Sequence, residues 1–191
     1  FFKQKTAYEI KECDWSSDVC SSDLGLTLAL TMAPAWLAGA WLHARLPTFG
    51  TLVATQRLRE FDRAAAQALG QTLLVFGAAA VAVLLLPVAL LRWVPVLGVR
   101  VLPFAATGAM LSGALAVLLL QSMSAWARSF RDEAMRTPVV AACAAMALGG
   151  ISGGILGGAT GAAIGYGGSG LIALVPVFLL FRAHRAVRLQ A

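Results

Sequence analysis

PVVAACAAMALGGISGGILGGATGAAIGYGGSGLIALVPVFLLF, residues 138–181, runs for 44 positions without a charged side chain. As one straight α-helix it would be about 66 Å long, roughly twice the thickness of a bilayer's hydrocarbon core. A segment that apolar and that long has to fold back on itself. The natural place is GGATG at 157–161, where consecutive glycines let the chain leave helical geometry at little steric cost. The stretch therefore predicts two membrane spans, near 138–157 and 161–181.

Three other runs approach the length a span requires, about 20 apolar residues: 25–42, 70–91 and 103–125. The composition agrees. Hydrophobic residues make up 59% of the chain, charged residues 13%, and the mean hydropathy is +0.79. A water-soluble domain carries about 25% charged residues, so the solvent this chain matches is lipid. The expected fold is all-α, a polytopic membrane bundle of about five transmembrane helices. Pro103 and Pro138 suit the first position of a helix, with Thr137 as an N-cap. Pro34, Pro87 and Pro176 fall inside spans and predict kinks.

The arginines give this bundle a direction. Arg45, Arg57, Arg59 and Arg63 lie between the first two spans, Arg128, Arg131 and Arg136 between the third and fourth, and Arg182, Arg185 and Arg188 after the fifth. Only Arg92 and Arg100 fall on the other side. Under the positive-inside rule the larger group and the C-terminus are cytoplasmic. The arginines sit between apolar runs without interleaved aromatics, so the net charge of +6 does not indicate a nucleic-acid partner. Residues 55–69, TQRLREFDRAAAQAL, place Leu58, Phe61, Ala65 and Leu69 on one face. That pattern fits either an amphipathic helix at the interface or a solvated loop helix.

Sites of chemistry are sparse. Glu60, Asp62, Asp132 and Glu133 lie in arginine-bearing loops; Arg128–Asp132 and Asp132–Arg136 have i,i+4 spacing. Arg128, Arg131 and Arg136 are candidates for contact with a lipid phosphate. Thr107, Ser112, Gln121 and Ser122 are polar residues within a span, suited to lining a cavity or to bonding within the bundle. His43 and His184 flank membrane boundaries without a partner at metal-ligand spacing, and no catalytic motif is present. The expectation is a protein that is not an enzyme and holds no cofactor or metal. Gly149, Gly153 and Gly157 begin a glycine row of period four that continues through Gly161 and Gly165. Small residues so spaced let helices approach closely, as a sliding contact or as a static seam.

Residues 1–24 stand apart, holding all three lysines, two of the three cysteines and five of the nine acids. KQKTAYEI (3–10) and DWSSDVCSSDL (14–24) resemble, in order, translated blocks of a short-read sequencing adapter. Residues 1–24 are therefore excluded from functional reasoning and expected to be disordered, with 25–191 as the bundle. On that reading Gly25 marks a break, and helices of the same chain are expected before it.

LPTFGTLVATQRLREFDRAAAQAL (46–69) is similar to the cytoplasmic linker of the oligosaccharide flippases, in the multidrug/oligosaccharidyl-lipid/polysaccharide exporter superfamily. WARSFRDEAMRTPVV (126–140) with GGATGAAIGYG (157–167) resembles that family's Arg-rich loop, span and Gly-rich turn. The resemblance implies the C-terminal part of a larger transporter in the inner membrane of a bacterium, with membrane lipids and a lipid-linked oligosaccharide as partners and cell-surface polysaccharide synthesis as its setting. A permease subunit of a multi-component transporter, or a non-transporting membrane scaffold, is the alternative.

Overall fold

The computed structural model describes residues 7–93, 103–130 and 133–190, and among them there is no strand. Five helices follow in order: α1 (Ala7–His43), α2 (Leu46–Ala54), α3 (Leu58–Trp93), α4 (Phe104–Ser129) and α5 (Arg136–Gln190). Among the described residues four segments are long and apolar enough to cross a membrane: Gly25–Ala54, Leu58–Leu86, Phe104–Ser129 and Arg136–Val187.

The last of these, 52 residues, is two helices. Helical geometry fails at Gly157 (φ −140°, ψ 21°) and Gly158 (φ 58°, ψ −146°), dividing α5 into arms 136–156 and 159–190. The arms run back along each other. A Cβ built on Gly153 would fall on the Gly161 carbonyl, and one on Gly165 would fall on the Gly149 carbonyl. In a straight helix residues 149 and 165 would be about 24 Å apart. The contacting pairs are symmetric about Gly157, as an antiparallel hairpin requires. The bundle thus has five membrane-length segments, with the fold-back inside GGATG.

The two turn glycines are not equivalent. Gly158 has a positive φ that side-chain-bearing residues reach only with strain, whereas Gly157 has a negative φ and open space where a Cβ would stand. Gly158→Ala is therefore expected to destabilise the protein by about 1–3 kcal/mol, and Gly157→Ala by much less. Thermal unfolding of both variants in detergent checks the ordering.

Several boundaries differ from the sequence reading. Residues 7–24 run into the first span as one helix, α1. Extending a formed helix adds one hydrogen bond per residue fixed, without a new nucleation cost. The amphipathic stretch 55–69 is not a separate helix; from Leu58 it runs straight into the next span. That part forms the first turns of α3, since Gly70 weakens a helix without ending one. The separate short helix is α2, with Phe49 buried and Pro47 in its first turn. Pro103 is the N-cap of α4 rather than its first residue. Thr137 and Pro138 lie inside the first turn of α5, where a missing N–H is tolerated. Pro34 and Pro176 do fall within helices.

α2 ends in a Schellman arrangement: Arg57 N–H donates to the Leu52 carbonyl and Gln56 N–H to that of Val53, both at 3.0 Å. The residue at the left-handed position is Gln56, φ 56°, where glycine is usual. Gln56→Gly is expected to raise the melting temperature in detergent, a gain on the order of 1 kcal/mol from relieved strain.

Packing follows this topology. α4 is the central helix, against both α5 and α1, while α1 also packs on α3. Ala35, Ala38, Phe76, Leu111, Ala114 and Leu118 form the core between α1, α3 and α4. Thr31 and Thr72 are fully buried within this apolar interior, each donating its hydroxyl to the carbonyl four residues earlier at 2.8 Å, which satisfies both. Outward faces remain apolar: Ile155 and Leu156 are 80% and 89% exposed. Such faces suit acyl chains and not water.

Candidate functional site at the arginine-rich end

The topology gathers one kind of chemistry at one end of the bundle. The C-terminal ends of α1 and α4, the start of α3 and both ends of α5 meet there. They bring together Arg45, Arg57, Arg59, Arg63, Arg128, Arg136, Arg182 and Arg185. Arg92 lies near the opposite end of α3, and Arg100 lies outside the described residues.

Aromatic side chains hold these ends together. Trp126 of α4 packs against Phe130 (ring centroids 4.7 Å apart), Phe181 (5.3 Å) and Phe61 (5.8 Å). Phe61 also meets Phe49 of α2 edge-on at 5.7 Å. Phe61 is fully buried and Trp126 is 5% exposed. Ring pairs in this geometry add specific attraction to the burial of large apolar area. The indole Nε1–H of Trp126 is buried without an acceptor.

Around this cluster the arginines divide by partner. Arg185 Nη2 donates to Asp62 Oδ2 at 2.6 Å, joining the end of α5 to the start of α3 across 123 positions of sequence. Arg57 pairs with Glu60 at 2.6 Å. Arg136 approaches Glu133 at 3.5 Å; the anticipated Asp132 pairings, like Arg131, fall outside the described residues. Arg182 lies over the Phe178 ring, 5.9 Å from its centroid. Arg45 lies over Trp41 at the same distance. The Asp62 and Arg185 side chains stay 29% and 41% exposed, so water screens their attraction. Asp62→Asn is expected to cost less than about 1 kcal/mol. In detergent-phase melting the difference from the parent should shrink as salt is added.

Cavities among the described residues open here. One of about 450 Å³ lies under the Asp62–Arg185 pair, walled by Leu69, Leu119, Met123, Trp126, Phe178 and Phe181 among others. A second, of about 560 Å³, separates α2 from the end of α4, with Arg128 and Phe130 in its wall. A third, about 290 Å³, is lined by Arg128, Glu133 and Arg136. Two of the three candidate phosphate-contacting arginines thus share one cavity.

The polar span residues are distributed differently. Ser122 lines the 450 Å³ cavity, its hydroxyl donating to the Leu119 carbonyl at 2.7 Å. Ser112 donates to the Ala109 carbonyl at 2.7 Å and lies where Gly167 meets α4. Thr107 is buried at the 1% level, and Gln121 faces Gly39 of α1. None of these last three lines the cavities at this end. Gly149 and Gly153 sit on the backbone of the opposing arm. Gly157 makes no such contact, because it is where the chain turns.

Aromatic convergence was not apparent from sequence, since Phe49, Phe61, Trp126 and Phe181 come from four different helices. The available signal was their position: each falls within a few residues of an arginine-bearing boundary, where aromatic residues concentrate in membrane proteins. Compared with known proteins, the chain matches no family model, no curated protein and no solved structure.

Proposed function

We propose that this chain is part of a membrane transporter that flips a lipid-linked oligosaccharide across a bacterial inner membrane for cell-surface polysaccharide synthesis. Its arginine-rich end and C-terminus face the cytoplasm, the orientation favoured by the positive-inside rule. The observation that carries the reading is the glycine seam. Gly149 and Gly153 meet Gly165 and Gly161 backbone to backbone, and Gly167 meets the Ala109 carbonyl of α4 in the same way. Helices held by interdigitated side chains are fixed in register by ridges and grooves. A seam of bare backbone lets helices pack closely with no interlocking side chains between them, which suits a lobe that repacks during alternating access. The likeness of 46–69 and 126–167 to flippase segments supports the same reading.

The test is reconstitution of the full-length protein in vesicles with a labelled lipid-linked oligosaccharide in one leaflet. The reading expects label to equilibrate between leaflets in protein-containing vesicles and to stay in place in protein-free ones. Equal behaviour of the two, across several sugar lipids, would contradict it.

A further inference from the structure

We infer that the 450 Å³ cavity at the arginine-rich end binds an anionic glycerophospholipid. One acyl chain lies between α3, α4 and the second arm of α5, and the phosphate sits at Arg182 and Arg185. Three independent features of the cavity converge on that ligand.

The first is its wall. Leu69, Leu119, Met123, Phe178 and Phe181 give an apolar lining in the size range of small-molecule sites. For a bundle surrounded by lipid, the apolar material at hand is an acyl chain. The second is the charge at its mouth. Arg185 is already matched by Asp62, while Arg182 lies over Phe178, itself a wall residue, with no carboxylate partner among the described residues. Arg182 therefore adds positive charge beside the wall residue Phe178 that no described carboxylate offsets, which favours a head of net negative charge over a zwitterionic or neutral one. Basic pockets between membrane helices commonly take anionic lipid heads in this way.

The third is Trp126. Its ring forms part of the wall and its Nε1–H has no acceptor. A buried donor left unmatched is costly, and among the described residues none accepts from it. The ester carbonyl of a glycerolipid lies between the phosphate and the acyl chain. A lipid whose phosphate is at the mouth and whose chain is in the cavity brings that oxygen to the depth of the indole.

This lipid is a resident of the fold and does not depend on the transport reading; the site stands whether or not the protein flips sugar lipids. The test uses the full chain, purified and delipidated in maltoside detergent, titrated with phosphatidylglycerol brominated on its acyl chains. Bromine quenches tryptophan fluorescence at contact range, and the signal of Trp126 is the difference between parent and Trp126→Phe. Saturable quenching of that component is expected, with brominated phosphatidylcholine far weaker. Arg182→Gln should weaken phosphatidylglycerol binding about fivefold, the effect of one surface arginine on an anionic lipid. Ala66→Leu, which adds bulk at the cavity wall, should weaken it further. Equal quenching by the two lipids would overturn the proposal, as would unchanged binding in Arg182→Gln, a surface variant that leaves the core intact should Trp126→Phe misfold.

Discussion

Gly153→Val is expected to separate the two arms of α5 and to be among the most damaging single substitutions in the protein. A Cβ at position 153 would occupy the place of the Gly161 carbonyl, with the Gly165 α-carbon only 3.2 Å away. The obstructing atoms are backbone, so no rotamer change relieves the overlap. Overpacking typically costs 1–3 kcal/mol, and more where the surroundings cannot move; about 3 kcal/mol or above is expected here. Gly154→Ala is the matched control. Its Cβ would meet the Ala162 Cβ at 3.5 Å, an ordinary contact, and alanine favours helix over glycine by up to about 1 kcal/mol. That variant should be neutral or stabilised. Melting of the two variants side by side in detergent checks the pair, and similar losses in both would argue against a backbone seam.

Phe61→Ala should lower stability by about 3–5 kcal/mol, the usual cost of deleting a fully buried aromatic ring. Phe61 is 0% exposed and contacts Phe49, Trp126 and Phe130, so its loss empties the centre of the arginine-rich end. Trp36, 69% exposed, provides the comparison. Trp36→Ala removes a larger ring but leaves no cavity and should change the melting temperature far less. Burial, and not aromatic size, then accounts for the difference.

The hairpin of α5 was legible from length alone, because 44 uncharged residues exceed one bilayer crossing and glycines mark the only easy turn. The gathering of arginines at one end followed from counting spans and reading the loops between them. Other features were not legible, for identifiable physical reasons. The start of α3 was obscured because one continuous helix first carries charge and then loses it at Gly70, which looks like a boundary and is not one. α2 was hidden because its C-terminal residue in left-handed geometry is Gln56, where sequence signals lead one to seek glycine. The Asp62–Arg185 pair joins residues 123 positions apart, and no local spacing rule reaches that far. Of the row Gly149, Gly153 and Gly157, periodicity alone could not tell packing from turning; the backbone angles at Gly157 decide it.

The central claim is that 136–190 crosses the membrane twice, with its two ends on one side and Gly157–Gly158 on the other. Cysteine accessibility tests this directly. In a background freed of the native cysteines, Thr137→Cys, Thr160→Cys and Ala186→Cys are each reacted with a membrane-impermeant maleimide in sealed vesicles of known orientation. Labelling of Thr137→Cys and Ala186→Cys from one face and of Thr160→Cys only from the other is the expected result. Thr137→Cys and Ala186→Cys labelled from opposite faces would contradict the hairpin and, with it, the five-segment bundle.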